Sequence, residues 1–372
     1  MGSDLDTSVY RDRIVRARAS MERAGVDVLL LSVGSDLPYL SGYEAMPLER
    51  LTMLVVPRDG EVTLVIPKLE APRVTVRAGV FEVLPWNETD DPVAIVASLV
   101  ARPRAVAVGD TMWARFLVEL LGHWPSGGTR YLRGTAVMNE LRMRKDASEV
   151  AALQAAGAAA DRVATKLQQG DIALVGRTEA AVSGEISARL LAEGHDVVNF
   201  AIVATGENAA SPHHHAGERV IARGDMVLCD FGGTMNGYCS DITRCVSIGE
   251  PPAEVAHAYA VLRAAQAAGV EAGVVGADCQ DVDRAARRVI TDGGYGEFFI
   301  HRTGHGIGME AHEDPYMVEG NNSPIEVGHA FSVEPGIYVP GSWGMRLEDI
   351  VVATADGPLA INQVDHDLVV LG

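Results

Sequence analysis

The chain has 372 residues and carries 31 Lys plus Arg against 50 Asp plus Glu, a formal charge of −19 with a pI near 4.9. So acidic a balance disfavours a phosphate backbone as partner, and no zinc-finger or basic recognition-helix pattern occurs, so nucleic acid is excluded as the expected ligand. An apolar share of 48% without low-complexity runs is globular composition, and the length predicts two domains, one of them small.

From the N-terminus, 10–24 suits a charged helix and 26–33 a nearly all-apolar strand. Two strands, 51–56 and 62–66, flank Arg58-Asp59-Gly60, a hairpin signal. A short strand at 105–108 and a helix at 113–121 complete a small α/β domain, 1–138. The stretch 139–145 reads as a linker, and 146–372 as the second domain. Asp146 and Glu149 form a capping box for a helix whose apolar residues Val150, Leu153, Val163 and Leu167 recur at helical spacing until Gly170. A second helix covers 179–192, with Gly194 as its stop. Strands and loops over 200–247 follow, then helices at 253–269 and 280–291, then strands again from 298. Helices followed by strands thus occur twice, which suggests an internal duplication. No signal-peptide core or run of about 20 apolar residues appears. The four cysteines, with no Cys-x-x-Cys pair, read as buried thiols of a reducing compartment. A cytoplasmic location without a membrane partner is the expectation.

Chemistry-bearing residues concentrate in three places. In Met226-Val-Leu-Cys-Asp230 an apolar strand ends in a carboxylate, and a glycine-containing bend in the following Phe-Gly-Gly-Thr-Met-Asn-Gly brings back a second strand that carries Asp241 beside it. Buried carboxylates are costly unless paired or bound to a metal; the alternative is a hairpin in which Asp241 pairs with Arg244. The segment His301-Arg-Thr-Gly-His305-Gly-Ile-Gly-Met-Glu-Ala-His312 holds three imidazoles on a glycine-rich loop rather than a helix. Glu334 and Glu348 each lie in a short apolar strand. Arg346, two residues from Glu348, is expected on its face, either as an ion-pair partner or beside a site. Carboxylates with one imidazole suit manganese, cobalt or zinc.

In this order and spacing the clusters resemble the metal-dependent aminopeptidase family with the pita-bread fold, and within it Xaa-Pro dipeptidases (prolidases) and aminopeptidase P. The resemblance implies an α/β (α+β) chain: a small creatinase-like N-terminal domain, then a pita-bread domain with pseudo-two-fold duplication. It implies two divalent ions per subunit, most readily Mn2+ (or Co2+ or Zn2+), with Asp230 on one, His305 and Glu334 on the other, and Asp241 and Glu348 touching both. It assigns catalytic roles to His213, His312 and Glu334, substrate contacts to His301 and Arg346, and weaker substrate contacts to Asp36, Tyr39 and Arg50. His213 is preferred over its neighbours His214 and His215 because its distance to Gly224-Asp225 fits. The implied reaction is hydrolysis of an Xaa-Pro dipeptide by a metal-bridging hydroxide, in a homodimer. An Xaa-Pro aminopeptidase acting on longer peptides, a non-peptide amidohydrolase and a non-catalytic peptide-binding protein are the alternatives.

Overall fold

The computed structural model describes residues 6–125 and 127–372, so the N-terminal leader reading falls in part on residues 1–5, outside the described residues. The chain divides into two units, Met1–Arg142 and Met143–Gly372. In the first, helix Thr7–Ala24 starts where the Asp6 side chain accepts from the Ser8 amide and ends on Gly25, whose φ of 63° suits glycine. A six-stranded mixed sheet runs Glu82–Trp86, Thr63–Pro67, Met53–Pro57, Val28–Leu31, Ala105–Val108, Arg130–Arg133. The hairpin around Arg58-Asp59-Gly60 is present, with Gly60 at φ 109°. The strand expected over 26–33 is shorter, because the Val26 amide donates to Met21 O and so belongs to the helix closure.

Most of the stretch expected to be a linker is helical. Helix Thr135–Met143 buries Val137, Met138 and Leu141, an i, i+1, i+4 face, and the division between the two units, at Arg142/Met143, falls within the expected stretch.

The second unit opens with helix Ala147–Gln168, where Asp146 and Glu149 form the expected capping box, and continues with helix Glu179–Ala192. A five-stranded sheet follows, built on Val197–Thr205, Met226–Met235 and Ile242–Ile248. The same order then repeats: helices Ala253–Ala272 and Cys279–Asp292, then a five-stranded sheet that includes Gly304–Gly306, Ala330–Val333 and Asp349–Thr354. The duplication extends to detail. Thr178 and Asp278, each capping its half's second helix, each make an isolated bridge, to Val220 and Pro324 respectively. Each half has its own apolar interior: Leu167, Ile186, Val227 and Phe231 in the first, Val282, Phe331, Val333 and Val351 in the second. Truncating fully buried Phe231 or Phe331 to Ala would cost about 3–5 kcal/mol. No helix among the described residues is long and apolar enough to cross a membrane.

Candidate dinuclear metal centre

Asp230 and Asp241 are carried by one hairpin of the first sheet. Asp230 lies within strand Met226–Met235, opposite Thr243. The strand does not end at Asp230 but runs on through Gly232-Gly233 to Met235. Both glycines continue the strand because any side chain there would run into Ser240 O and the Phe200 ring, or into Val197 O and the His195 ring. The turn is made instead by Asn236-Gly237, at φ 50° and 82°, the pair best suited to a tight hairpin. Asp241 directly precedes strand Ile242–Ile248. Arg244 does not pair with it. Fully buried, Arg244 binds Asp349 Oδ1 at 2.7 Å and the carbonyls of Glu348 and Val364.

His305, Glu334 and Glu348 come from the second half. His305 lies on strand Gly304–Gly306, where flanking glycines let strands pass without side chains: a Cβ at Gly304 would meet Ser332 O, and one at Gly306 would meet Asp314 O. Its Nδ1 faces Gly306 O at 3.0 Å, which directs Nε2 toward Glu334 Oε1 at 3.2 Å and Asp241 Oδ2 at 4.0 Å. Ser332 Oγ accepts from the His305 amide at 3.0 Å and donates to Glu334 Oε1 at 3.1 Å, so one hydroxyl aligns both groups. Thr243 Oγ1 donates to Glu348 Oε2 at 2.6 Å.

Ligand atoms of Asp230, Asp241 and Glu348 lie within 4.8 Å of one another, as do those of His305, Glu334 and Glu348, and those of Asp241, His305 and His312. Asp241, His305 and Glu348 each belong to two of these groups. Asp230 Oδ1 and Asp241 Oδ1 are buried without a hydrogen-bond partner among the described residues, a costly arrangement that cations would relieve. Burial, followed by the neighbouring carboxylates, raises Asp241 and Glu348 well above the usual carboxylate range. Asp230 is also raised, mainly by burial and in spite of Arg346. Burial pushes Glu334 up as well, but the hydrogen bond and charge of His305, then His301 and Arg346, outweigh it and hold Glu334 at about 2. The residues present fit two divalent cations.

Around the cluster lies a cavity of about 1130 Å³, lined by His213, His214, His215, His301, Arg302, His312 and Arg346 among others. His213 stands exposed on its wall, whereas His214 Nε2 donates to Glu179 Oε2 at 2.7 Å. The His312 ring is 4.0 Å from that of His305, and burial, then the His305 charge, lowers its pKa to about 4. His301 Nε2 lies 2.9 Å from the Tyr338 hydroxyl and its Nδ1 2.6 Å from Arg302 O. Arg346 lines the cavity with its guanidinium largely engaged. It pairs with Asp230, donates to Tyr338 OH at 2.8 Å and Thr243 Oγ1 at 3.2 Å, and reaches Pro212 O at 3.4 Å. These bonds make it the brace of Asp230 rather than a free receptor.

Asp36, Tyr39 and Arg50 are occupied within the N-terminal unit. Asp36 pairs with Arg142 at 2.9 Å. Tyr39, 1% exposed, lies under the Arg13 guanidinium and donates to Leu141 O. Arg50 binds Glu49 and Glu88. Sequence reasoning missed Glu179, Thr243, Ser332 and Tyr338. For Thr243, Ser332 and Tyr338 a signal existed, since each is a hydroxyl residue inside a segment already singled out for its acids; Glu179 carried none.

Four buried carboxylates and an imidazole brought together from both halves of a duplicated α/β unit define a dinuclear metallohydrolase of the pita-bread fold. Residues 151–355 match the model of metallopeptidase family M24, and 13–144 that of the creatinase/prolidase N-terminal domain. The probable dipeptidase PepE of Mycobacterium tuberculosis is 43% identical over 100% of this chain and 99% of its own length. The Xaa-Pro dipeptidase of Lactobacillus helveticus is 35% identical, covering 93% of this chain and 95% of its own. The crystal structure of dipeptidase PepE from Mycobacterium ulcerans superposes with a TM-score of 0.93 at 45% identity, covering 98% of this chain and 99% of that one. The chain belongs to metallopeptidase family M24.

Proposed function

We propose that the protein is a metal-dependent dipeptidase that hydrolyses the Xaa-Pro bond, with two Mn2+ ions held by Asp230, Asp241, His305, Glu334 and Glu348. The carrying observation is the five-residue cluster, with its two unpartnered carboxylate oxygens, facing a cavity of about 1130 Å³. The similar Xaa-Pro dipeptidase from Lactobacillus helveticus supports the substrate class. When bound, the ions would polarise the scissile carbonyl and activate water near neutral pH.

The chain's own residues supply the rest. Glu334, held ionised, takes the proton of the attacking water and delivers it to the proline nitrogen, which leaves poorly unless protonated. His312 is neutral at pH 7 and donates to the oxygen that gains charge. His213, on the cavity wall, contacts the same carbonyl from the other side. His301 is kept neutral mainly by burial, its pKa lowered, and is oriented by Tyr338, so it presents its ring to the proline side. Arg346 and Thr243 hold Asp230 and Glu348 in place. Asp36, Tyr39 and Arg50 serve the N-terminal unit's own packing and pairing.

A homodimer in the cytoplasm completes the reading. Four buried free cysteines support the reducing compartment, and sedimentation would test the oligomer. The deciding experiment assays an Xaa-Pro dipeptide, an Xaa-Ala dipeptide and an Xaa-Pro-Yaa tripeptide, each with Mn2+ and with chelator. Mn2+-dependent cleavage confined to the first supports the proposal. Cleavage of the tripeptide alone points to an aminopeptidase and refutes it.

A further inference from the structure

We infer that Arg302 receives the free C-terminal carboxylate of the dipeptide and so sets the substrate's length. The inference rests on the proposed dipeptidase reading and deepens it.

Arg302 and Arg346 are the cationic side chains among the cavity's lining residues. Four of the five N–H groups of Arg346 are directed at Asp230, Thr243, Tyr338 and Pro212. Arg302 is different. No acidic side chain among the described residues pairs with it, and its guanidinium lies flat over the Tyr316 ring at 4.3 Å. Stacking of this kind fixes the direction of the fork while leaving its charge uncompensated. The backbone is fixed as well, because Arg302 O is held by His301 Nδ1 and the Thr303 amide donates to Asp283 Oδ1 at 2.9 Å.

Position favours the same role. His305 lies three positions beyond Arg302, a span of at most ~11 Å. Ile300, two residues before it, and Phe200 are apolar members of the same cavity lining. An unpaired guanidinium in a lining that also offers apolar side chains matches a proline ring followed directly by a carboxylate. A longer peptide offers a neutral amide at that point and loses the bidentate, charge-assisted bond.

The test is steady-state kinetics of the Mn2+-loaded wild type, R302Q and R302K. The substrates are an Xaa-Pro dipeptide and the same compound as its C-terminal amide. The wild type is expected to favour the acid over the amide at least ~10-fold in kcat/KM. R302Q should raise KM for the acid by about 10- to 100-fold with little change in kcat, leave the amide nearly unaffected, and so erase the preference. R302K should recover part of it. Equal losses on acid and amide, or an R302Q that keeps the wild-type KM, would overturn the inference and leave the dipeptidase reading intact. A wild type indifferent to acid or amide overturns it without any variant. Failure of the wild type to cleave either compound would overturn both.

Discussion

Glu179 Oε2 and His214 Nε2 meet at 2.7 Å, and the same fully buried carboxylate accepts from the amides of Thr205 and Gly217 and from Asn208. One acid at the first turn of helix Glu179–Ala192 therefore organises the segment that presents His213. Replacing Glu179 by Ala strands several donors, at a cost of about 3 kcal/mol in stability. At temperatures where the variant stays folded, kcat/KM should fall about 10- to 100-fold as His213 loses its place. Calorimetric unfolding and kinetics check both. An E179A variant with wild-type turnover would remove this segment from catalysis.

Thr243 links two site residues, donating to Glu348 and accepting from Arg346. Thr243→Val keeps the shape and deletes both bonds. Metal affinity should drop about 10- to 100-fold, as for other residues that orient ligands, read by Mn2+ titration calorimetry of the folded variant.

Chelation should abolish activity and lower the melting temperature, since cations that bind only the folded state stabilise it in proportion to the logarithm of their concentration over Kd. Asp241→Asn gives a sharper contrast. It should be inactive with Mn2+, yet its metal-free form should melt above the metal-free wild type at pH 8, because one of the crowded carboxylates is gone. Differential scanning fluorimetry with and without chelator separates these outcomes.

His329 supplies a pH effect remote from substrate. It is 2% exposed, and its Nδ1 accepts from the Glu326 amide at 3.2 Å, which requires an unprotonated nitrogen. Burial outweighs the charge of Glu326 and, with Lys145 and Arg144 adding to it, lowers its pKa from 6.5 to about 4. The folded-state value is depressed, so the stability it contributes is complete above pH 6.5 and is lost as pH falls through 4. The loss should be on the order of 2–3 kcal/mol. His329→Gln should flatten the urea-unfolding free energy over that window. An unchanged slope would refute the assignment.

Much of the fold was legible. The capping box at Asp146, the helix over 179–192 and the hairpin at Arg58-Asp59-Gly60 rest on local chemistry that tertiary packing reinforces. The misreadings arose where packing across elements decides. The strand expected to end at Asp230 runs on through Gly232 and Gly233, which are small because other chain segments pass close by, and the boundary region 139–145, which does hold the division between the units, is helical up to Met143 because it has a buried face. The metal-ligand residues stand out as acids in apolar runs, and the structure brings them together. Their supports, Thr243, Ser332 and Tyr338, are ordinary hydroxyls whose partners lie up to about a hundred residues away, and no sequence period records such a pairing.

Asp230 and Asp241 hang from one sheet of the duplicated unit, while His305, Glu334 and Glu348 come from the other half. Ions seated among them would add a cross-link between two halves that already share apolar core, as where Leu228 and Cys245 cluster with Ile337 and Met345. The four buried cysteines make no disulfide, so this would be a further closure across the long chain segment between the halves. Such closure limits the freedom of the unfolded chain as a disulfide does. It is reversible, however, and metal supply would govern that part of the stability as well as whether a peptide is cut.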